Sequence, residues 1–162
     1  MSEAFQIRGG KKLHGEITPQ GAKNEALQIL CAVLLTDEEV RIKNIPDIHD
    51  VNRLIEILGD FGVKITKNAH GDYTFKADQV NFDYIKSKEF KKDGAKLRGS
   101  IMILGPMLAR FGEAYMPTPG GDKIGRRRLD THFQGFVELG AEFHYDETEY
   151  FYTLKAKELR GK

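Results

Sequence analysis

Cysteine is almost missing from this sequence: Cys31 stands alone among 162 residues, so no disulfide framework can form within the chain. Its place in the apolar run Ala26-Leu27-Gln28-Ile29-Leu30-Cys31-Ala32-Val33-Leu34-Leu35 makes a small buried thiol the expected state. An excess of charge of one sign is missing too. The 25 basic and 24 acidic residues leave a formal charge of +1, so no overall field draws the protein to nucleic acid or anionic lipid, and any electrostatic function has to be local. No apolar run approaches the roughly 18 residues of a membrane span. The start Met1-Ser2-Glu3-Ala4-Phe5 has no basic region leading into an apolar core, so the chain is expected to stay in the cytoplasm, with no membrane partner. The five histidines, His14, His49, His70, His132 and His144, keep no metal-ligand spacing, which argues against zinc. A Walker-type loop and a strand-linked dinucleotide fingerprint are both lacking, so ATP and NAD are not indicated.

What is there suffices for one soluble globular domain: 40% of residues are hydrophobic and 30% charged, enough to bury a sizeable core. One unit is written twice. Gly21-Ala22-Lys23 recurs as Gly94-Ala95-Lys96. Gly59-Asp60-Phe61-Gly62-Val63-Lys64-Ile65 returns as Val137-Glu138-Leu139-Gly140-Ala141-Glu142-Phe143, and Tyr73-Thr74-Phe75-Lys76-Ala77 as Tyr152-Thr153-Leu154-Lys155-Ala156, with a small insertion in the second copy.

Each copy reads helix, strand, helix, strand, hairpin turn, strand, the first helix opening just after Gly-Ala-Lys. In the first copy that helix is apolar nearly all round, as an interior helix is, with Ala22, Ala26, Ile29, Leu30, Val33 and Leu34 at helical spacing. The next, near Ile48 to Phe61, carries one stripe of Val51, Leu54, Ile55, Leu58 and Phe61 and belongs on the outside of a sheet. Val40 to Lys43 and Val63 to Thr66 alternate as half-buried strands do, and Asn68-Ala69-His70-Gly71 suits a hairpin turn before Tyr73-Thr74-Phe75. Gly105-Pro106 falls inside the first helix of the second copy, opposite Val33, and predicts a kink there. Phe5 to Arg8 and Lys12 to Thr18 read as a strand pair turning at Gly9-Gly10, and Val80 to Lys92 as a polar connector. The divisions are thus 1–20, 21–92 and 93–162.

The segment 117–128, Pro117-Thr118-Pro119-Gly120-Gly121-Asp122-Lys123-Ile124-Gly125-Arg126-Arg127-Arg128, has no counterpart in the first copy, which makes it the place to look for acquired function. Its glycines let backbone amides approach a ligand, and Lys123 and the three arginines offer donors suited to phosphate and carboxylate. A polyanionic small molecule fits it, and so does a solvated basic turn. Asp122 is a lone carboxyl among these cations. Cations lower its pKa, whereas a bound polyanion and loss of water raise it, so it can become a proton donor on demand or remain a carboxylate paired with Arg127 or Arg128. Lys23 and Asn24 open the first helix, where amides and dipole favour an anion, and Arg98 near the start of the equivalent helix is the matching donor. All three positions also suit plain solvation.

Gly21-Ala22-Lys23-Asn24-Glu25-Ala26-Leu27-Gln28-Ile29-Leu30, Leu104-Gly105-Pro106-Met107-Leu108-Ala109-Arg110-Phe111-Gly112 and Pro119-Gly120-Gly121-Asp122-Lys123-Ile124-Gly125-Arg126-Arg127 together closely resemble the UDP-N-acetylglucosamine enolpyruvyl transferases, and the resemblance runs the length of the chain. It implies an α/β (α+β) fold of βαβαββ repeats, the inside-out α/β barrel of that family, three repeats to each of two domains. This chain would hold two repeats of six, residues 1–20 belonging to the other domain and the carboxy-terminal part of the enzyme lying elsewhere. The implied reaction carries the enolpyruvyl group of phosphoenolpyruvate to the 3-hydroxyl of UDP-N-acetylglucosamine, through a tetrahedral intermediate and with release of phosphate, at the first committed step of peptidoglycan synthesis. It uses no metal or organic cofactor.

By the same resemblance Lys23 would contact phosphoenolpyruvate, Asn24 the sugar, and Arg98 and Arg127 the phosphate and carboxylate oxygens. Arg128, Leu129, Asp130 and Thr131 would line the uridine side. Asp122 stands where most members carry a cysteine that protonates the methylene carbon and is alkylated by fosfomycin, so an active but fosfomycin-insensitive parent is implied. With the general base in the other domain, the 162 residues alone would not turn over. Faces that normally pack on other repeats would favour self-association. Three other readings stay open: a nucleic-acid module, since duplicated βαβαββ units also resemble RNA-processing and translation-factor domains, a shikimate-pathway enolpyruvyl transferase, and, for the isolated chain, a purely structural fragment with no ligand affinity.

Overall fold

The computed structural model describes residues 4–120 and 128–161. The duplication is visible in it as two small antiparallel sheets with helices, in the αβαββ order read from the sequence. In the first copy α1 (Lys23–Ala32) closes with a 3-10 turn (Val33–Leu35) and leads to β1 (Glu39–Ile42), α2 (His49–Asp60), β2 (Lys64–Ala69) and β3 (Asp72–Lys76). The sheet order is β1-β3-β2. Two short helices follow, α3 (Phe82–Ile85) and α4 (Lys88–Gly94). The second copy then runs through a 3-10 helix (Arg98–Ile103), α5 (Leu104–Phe111), β4 (Glu113–Pro117), α6 (Asp130–Glu138), β5 (Glu142–Asp146) and β6 (Phe151–Lys155), with sheet order β4-β6-β5. The leading strand of the implied βαβαββ unit has no counterpart among the described residues of either copy.

The hairpin turns at His70-Gly71, where Gly71 takes φ 67° and a side chain would press within 2.9 Å of the Ile45 carbonyl oxygen. Glycine alone meets both demands cheaply. α2 buries Val51, Leu54, Ile57 and Leu58, which adds Ile57 to the expected stripe and leaves Ile55 at its edge. α1 buries Ala26, Leu27, Leu30 and Cys31, yet Ile29 and the following Leu35 stay exposed at 42% and 52%. The helix expected to be interior is therefore covered on one side only.

None of residues 4–20 lies in a strand among the described residues, and Phe5, Ile7, Leu13 and Ile17 are almost fully exposed; an isolated two-stranded ribbon with no surface to pack on is not stable in water. Two sequence expectations are corrected. Val80 to Lys92 is not a plain polar connector. Asn81 Oδ1 accepts from the Tyr84 amide at 3.1 Å and Ser87 Oγ from the Phe90 amide at 3.2 Å, two N-caps that start α3 and α4. Ile85 and Phe90 are fully buried, and Phe90 meets Phe61 edge-on with centroids 4.9 Å apart. Pro106 does not kink a continuous helix. The chain makes a 3-10 helix up to Ile103 and α5 begins at Leu104, so Pro106 sits in the first turn, where a missing amide proton is tolerated.

Both copies share one core, which runs from Leu30, Leu34, Leu54 and Phe75 of the first to Ile103, Leu104, Met107 and Leu154 of the second. Across the seam, Nη1 of Arg110 on α5 donates to the carbonyl oxygens of Leu34 at 3.1 Å, Thr36 at 2.8 Å and Ala77 at 2.9 Å. Those carbonyls end the 3-10 turn after α1 and the chain leaving β3. On the first sheet, Arg41 forks onto Asp72 with Nε–Oδ1 2.9 Å and Nη2–Oδ2 2.7 Å, and these bonds, with help from Asn68, hold the Asp72 carboxyl down at about 2.

Two outcomes follow. Replacing Arg110 with methionine strands three carbonyls and is expected to lower unfolding free energy by about 2–3 kcal/mol in urea titrations; a loss under about 0.5 kcal/mol would show that the seam does not need the guanidinium. Asp72 has a folded pKa below the ordinary carboxylate value of about 3.9. Its contribution is therefore complete above that value and is lost as pH falls through about 2. Asp72→Asn is expected to flatten the stability-pH curve between these limits, and an unaltered slope contradicts the assignment.

Candidate functional site

Gly21 passes so close to Asn44 that a Cβ on it would lie 2.1 Å from the Asn44 carbonyl oxygen, and this tight entry starts α1 beside the segment leading into α2. Lys23 and Asn24 thereby occupy the first turn of α1, next to the first turn of α2, and Lys23 Nζ donates to Asp50 Oδ2 at 2.9 Å. From the second copy, Gly99 lies against α1: a Cβ there would meet Leu27 Cδ1 at 2.9 Å. That approach delivers Arg98, first residue of the 3-10 helix, to the same place.

The result is a cleft of about 670 Å³ at the seam, lined among others by Lys23, Asn24, His49, Asp50, Lys96 and Arg98. Three cationic side chains face one carboxylate, and the amides at the start of α1 add positive potential. The arrangement suits a small anion carrying more than one negative oxygen. Lys23, Asn24 and Arg98, singled out in the sequence, are brought together; His49, Asp50 and Lys96 were missed. Asp50 lies off the apolar stripe of its helix, and only its place in that helix's first turn marks it.

Arg98 also lines a second cavity of 390 Å³ with Arg128, Leu129, Asp130, Phe133 and Tyr152. Arg128 Nε donates to Asp130 Oδ1 at 3.0 Å and its Nη2 to Oδ2, a fork that pushes the guanidinium pKa further up. Thr131 lies in the first turn of α6 and is exposed. The loop joining β4 to α6 has a fixed stem: the Thr118 amide donates to the Tyr150 carbonyl at 2.9 Å and the Gly120 amide to the Ala95 carbonyl at 2.7 Å. A Cβ on Gly120 would sit 2.1 Å from that Ala95 oxygen, so glycine is required there. Asp122, Lys123, Arg126 and Arg127 lie outside the described residues.

Other candidates carry less chemistry. A cavity of 890 Å³ lies between Gly112, the Glu138–Glu142 turn and residues 155–161; it is larger than the cleft but touches none of the residues the sequence singled out. Burial pushes the Cys31 thiol up to about 12, so it stays protonated and unreactive. Among the described residues no group of three or more potential metal ligands lies together, and no helix is long and apolar enough to cross a membrane.

Comparison with known proteins gives a consistent result. Residues 7–162 match the family described as EPSP synthase (3-phosphoshikimate 1-carboxyvinyltransferase). A relative from Bacteroides fragilis named UDP-N-acetylglucosamine 1-carboxyvinyltransferase is 56% identical over 98% of this chain, and relatives of the same name from Porphyromonas gingivalis and Borreliella burgdorferi are 53% and 42% identical. The chain spans 36% of the Bacteroides fragilis relative's own length. Among solved structures, the enolpyruvyl transferase NikO from Streptomyces tendae superposes with a TM-score of 0.74 at 20% identity, over 94% of this chain and 32% of that one. An EPSP synthase from Acinetobacter baumannii gives 0.61 at 14% identity, over 91% and 34%.

The Lys23–Asp50 pair is exposed, at 43% and 40%, so Lys23→Ala is expected to change stability by less than about 1 kcal/mol. Phosphate-type anions should bind the cleft measurably more weakly in the same variant. A large drop in melting temperature with undiminished anion binding would mark Lys23 as a structural residue.

Proposed function

The chain belongs to the EPSP synthase family, and from that premise we propose that it forms part of a UDP-N-acetylglucosamine 1-carboxyvinyltransferase, which moves the enolpyruvyl group of phosphoenolpyruvate to the 3-hydroxyl of UDP-N-acetylglucosamine and releases phosphate. One observation carries the proposal. Lys23 and Asn24 of the first copy and Arg98 of the second, far apart in sequence, line a single cationic cleft.

In this reading Lys23 and Arg98 hold the phosphate and carboxylate oxygens of phosphoenolpyruvate, joined by Arg127, while Asn24 bonds the sugar. Arg98 bridges to the second cavity, where Arg128, Leu129 and Asp130, with Thr131 beside them, take the uridine side. The sugar oxygen attacks C2 of phosphoenolpyruvate as Asp122 gives a proton to C3, forming a tetrahedral ketal; loss of phosphate and of a C3 proton then regenerates the double bond. The anion's charge and exclusion of water raise the Asp122 pKa toward the protonated state this requires. Neither metal nor organic cofactor enters. Residues 4–20, with their apolar side chains exposed, pair with a part of the enzyme beyond these 162 residues, and the general base comes from there too. The enzyme works in the cytoplasm, on the route to peptidoglycan.

The parent enzyme is expected to release phosphate from phosphoenolpyruvate with UDP-N-acetylglucosamine and not with shikimate 3-phosphate as acceptor. The reverse preference would support the acceptor in the family's own description. Turnover by the 162 residues alone would refute the need for a second domain. Asp122→Asn is expected to cut kcat by about 10²–10⁴. A carboxyl attacks an epoxide far more slowly than a thiolate, so fosfomycin is expected to leave the parent active and to inactivate Asp122→Cys. Time-dependent inactivation of the unaltered enzyme, with label on Asp122, sinks this assignment.

A further inference from the structure

Among the described residues, Ser100 is the polar side chain that is fully buried. Its hydroxyl lies 2.6 Å from the Leu97 carbonyl oxygen and 3.0 Å from that of Gly94, so its single proton ties one and then the other end of the Gly94–Arg98 turn. An alanine would fill nearly the same space with no polar atom to bury. What the hydroxyl adds is therefore the direction it imposes on those two carbonyls.

That turn has two clients. On one side Ala95 accepts from the Gly120 amide at 2.7 Å, and Gly94 lies so close to the Pro117 ring that a Cβ would be 2.9 Å from its Cγ. Both ends of the 117–120 stem thus rest on Gly94 and Ala95. On the other side Lys96 and Arg98 leave the turn for the cleft. The turn's own start is fixed from outside by Arg53 of α2, which pairs with Asp93, and from within by Lys96 Nζ, which donates to Asp93 at 3.1 Å. A shift of the turn moves Arg98 and the loop stem together.

We propose that Ser100 is a positioning residue that couples the cleft to the loop after β4, by holding the Gly94–Arg98 turn so that Arg98 and Gly120 keep one fixed relation. The proposal deepens the transferase reading and rests on it for its kinetic consequence; its structural consequence stands apart.

The test uses Ser100→Ala, Arg98→Ala and the double variant in the parent enzyme. Ser100→Ala is expected to raise KM for phosphoenolpyruvate about tenfold, as a misplaced binding group does, with kcat less affected. In the double variant KM should rise by less than the product of the two single effects, because one of the two routes by which Ser100 acts runs through Arg98. Multiplying effects, or a lowered melting temperature with wild-type KM, overturn the proposal. Amide hydrogen exchange supplies a readout that needs no turnover. The Gly120 amide is expected to exchange at least several-fold faster in Ser100→Ala, while amides inside β3 and β6 keep their wild-type rates. Unaltered Gly120 exchange overturns the proposal whatever the enzyme's substrate proves to be, and a parent without transferase activity sinks the functional reading while leaving this comparison decisive. Should Ser100→Ala fail to fold, Ser100→Cys, close in size and a weak donor, is read by the same two measurements.

Discussion

The Arg110 guanidinium of the second copy reaches across the seam and donates to three carbonyls of the first, beside a core that the two copies share. Chain ends of helices and strands leave such acceptors open, and burying them unpaired is costly. An uncharged side chain in that place could pack, but it could not answer three oxygens. With α5 fixed in this way, its preceding 3-10 helix lies against α1 closely enough that Gly99 meets Leu27 directly. The cleft follows from that closeness, since its cations come from both sides of the seam.

The pattern of elements was legible because each unit repeats strong local signals: period-two strands, a hairpin ending in Gly71, a one-sided stripe on α2. Local context failed where a neighbour decides. Gly105-Pro106 predicts a break, but whether the break is a kink or a change from 3-10 to α depends on how the preceding turn is held. The first copy, without a proline, places its α-helix first and its 3-10 turn second; the second copy reverses the order. The stretch Val80 to Lys92 reads as polar because of its charged second half, and it is the buried Ile85 and Phe90, with two side-chain caps, that fold it into α3 and α4. Residues 4–20 are the converse case: their strand-like pattern stands with exposed apolar side chains and no strand partner among the described residues.

The candidate site was legible in part for a related reason. Lys23, Asn24 and Arg98 announce themselves by repeat position and by opening helices, which is information carried along the chain. Lys96 carries one mark, as the repeat counterpart of Lys23, and Asp50 another, its place in the first turn of α2; that they and His49 share one cleft is a fact of packing, with α2 and the Gly94–Arg98 turn brought against α1. Phe133 and Tyr152, which wall the second cavity, are a buried helix position and a half-buried strand position that carry no charged or catalytic group to single them out.

Divergence between the copies falls where the shared packing leaves room for it. In the first copy the chain passes from β1 to α2 by a short connection, and Gly21 is pressed against it. In the second, the chain from β4 to α6 is longer and rich in glycine, and its stem takes the hydrogen bond that Ala95 offers. The described root of this longer connection therefore leaves sheet, core and seam as they are, since it uses a carbonyl the turn already exposes. Sequence can thus diverge between the copies beyond Gly120 while the hydrogen bonds of Thr118 and Gly120 keep the root in place.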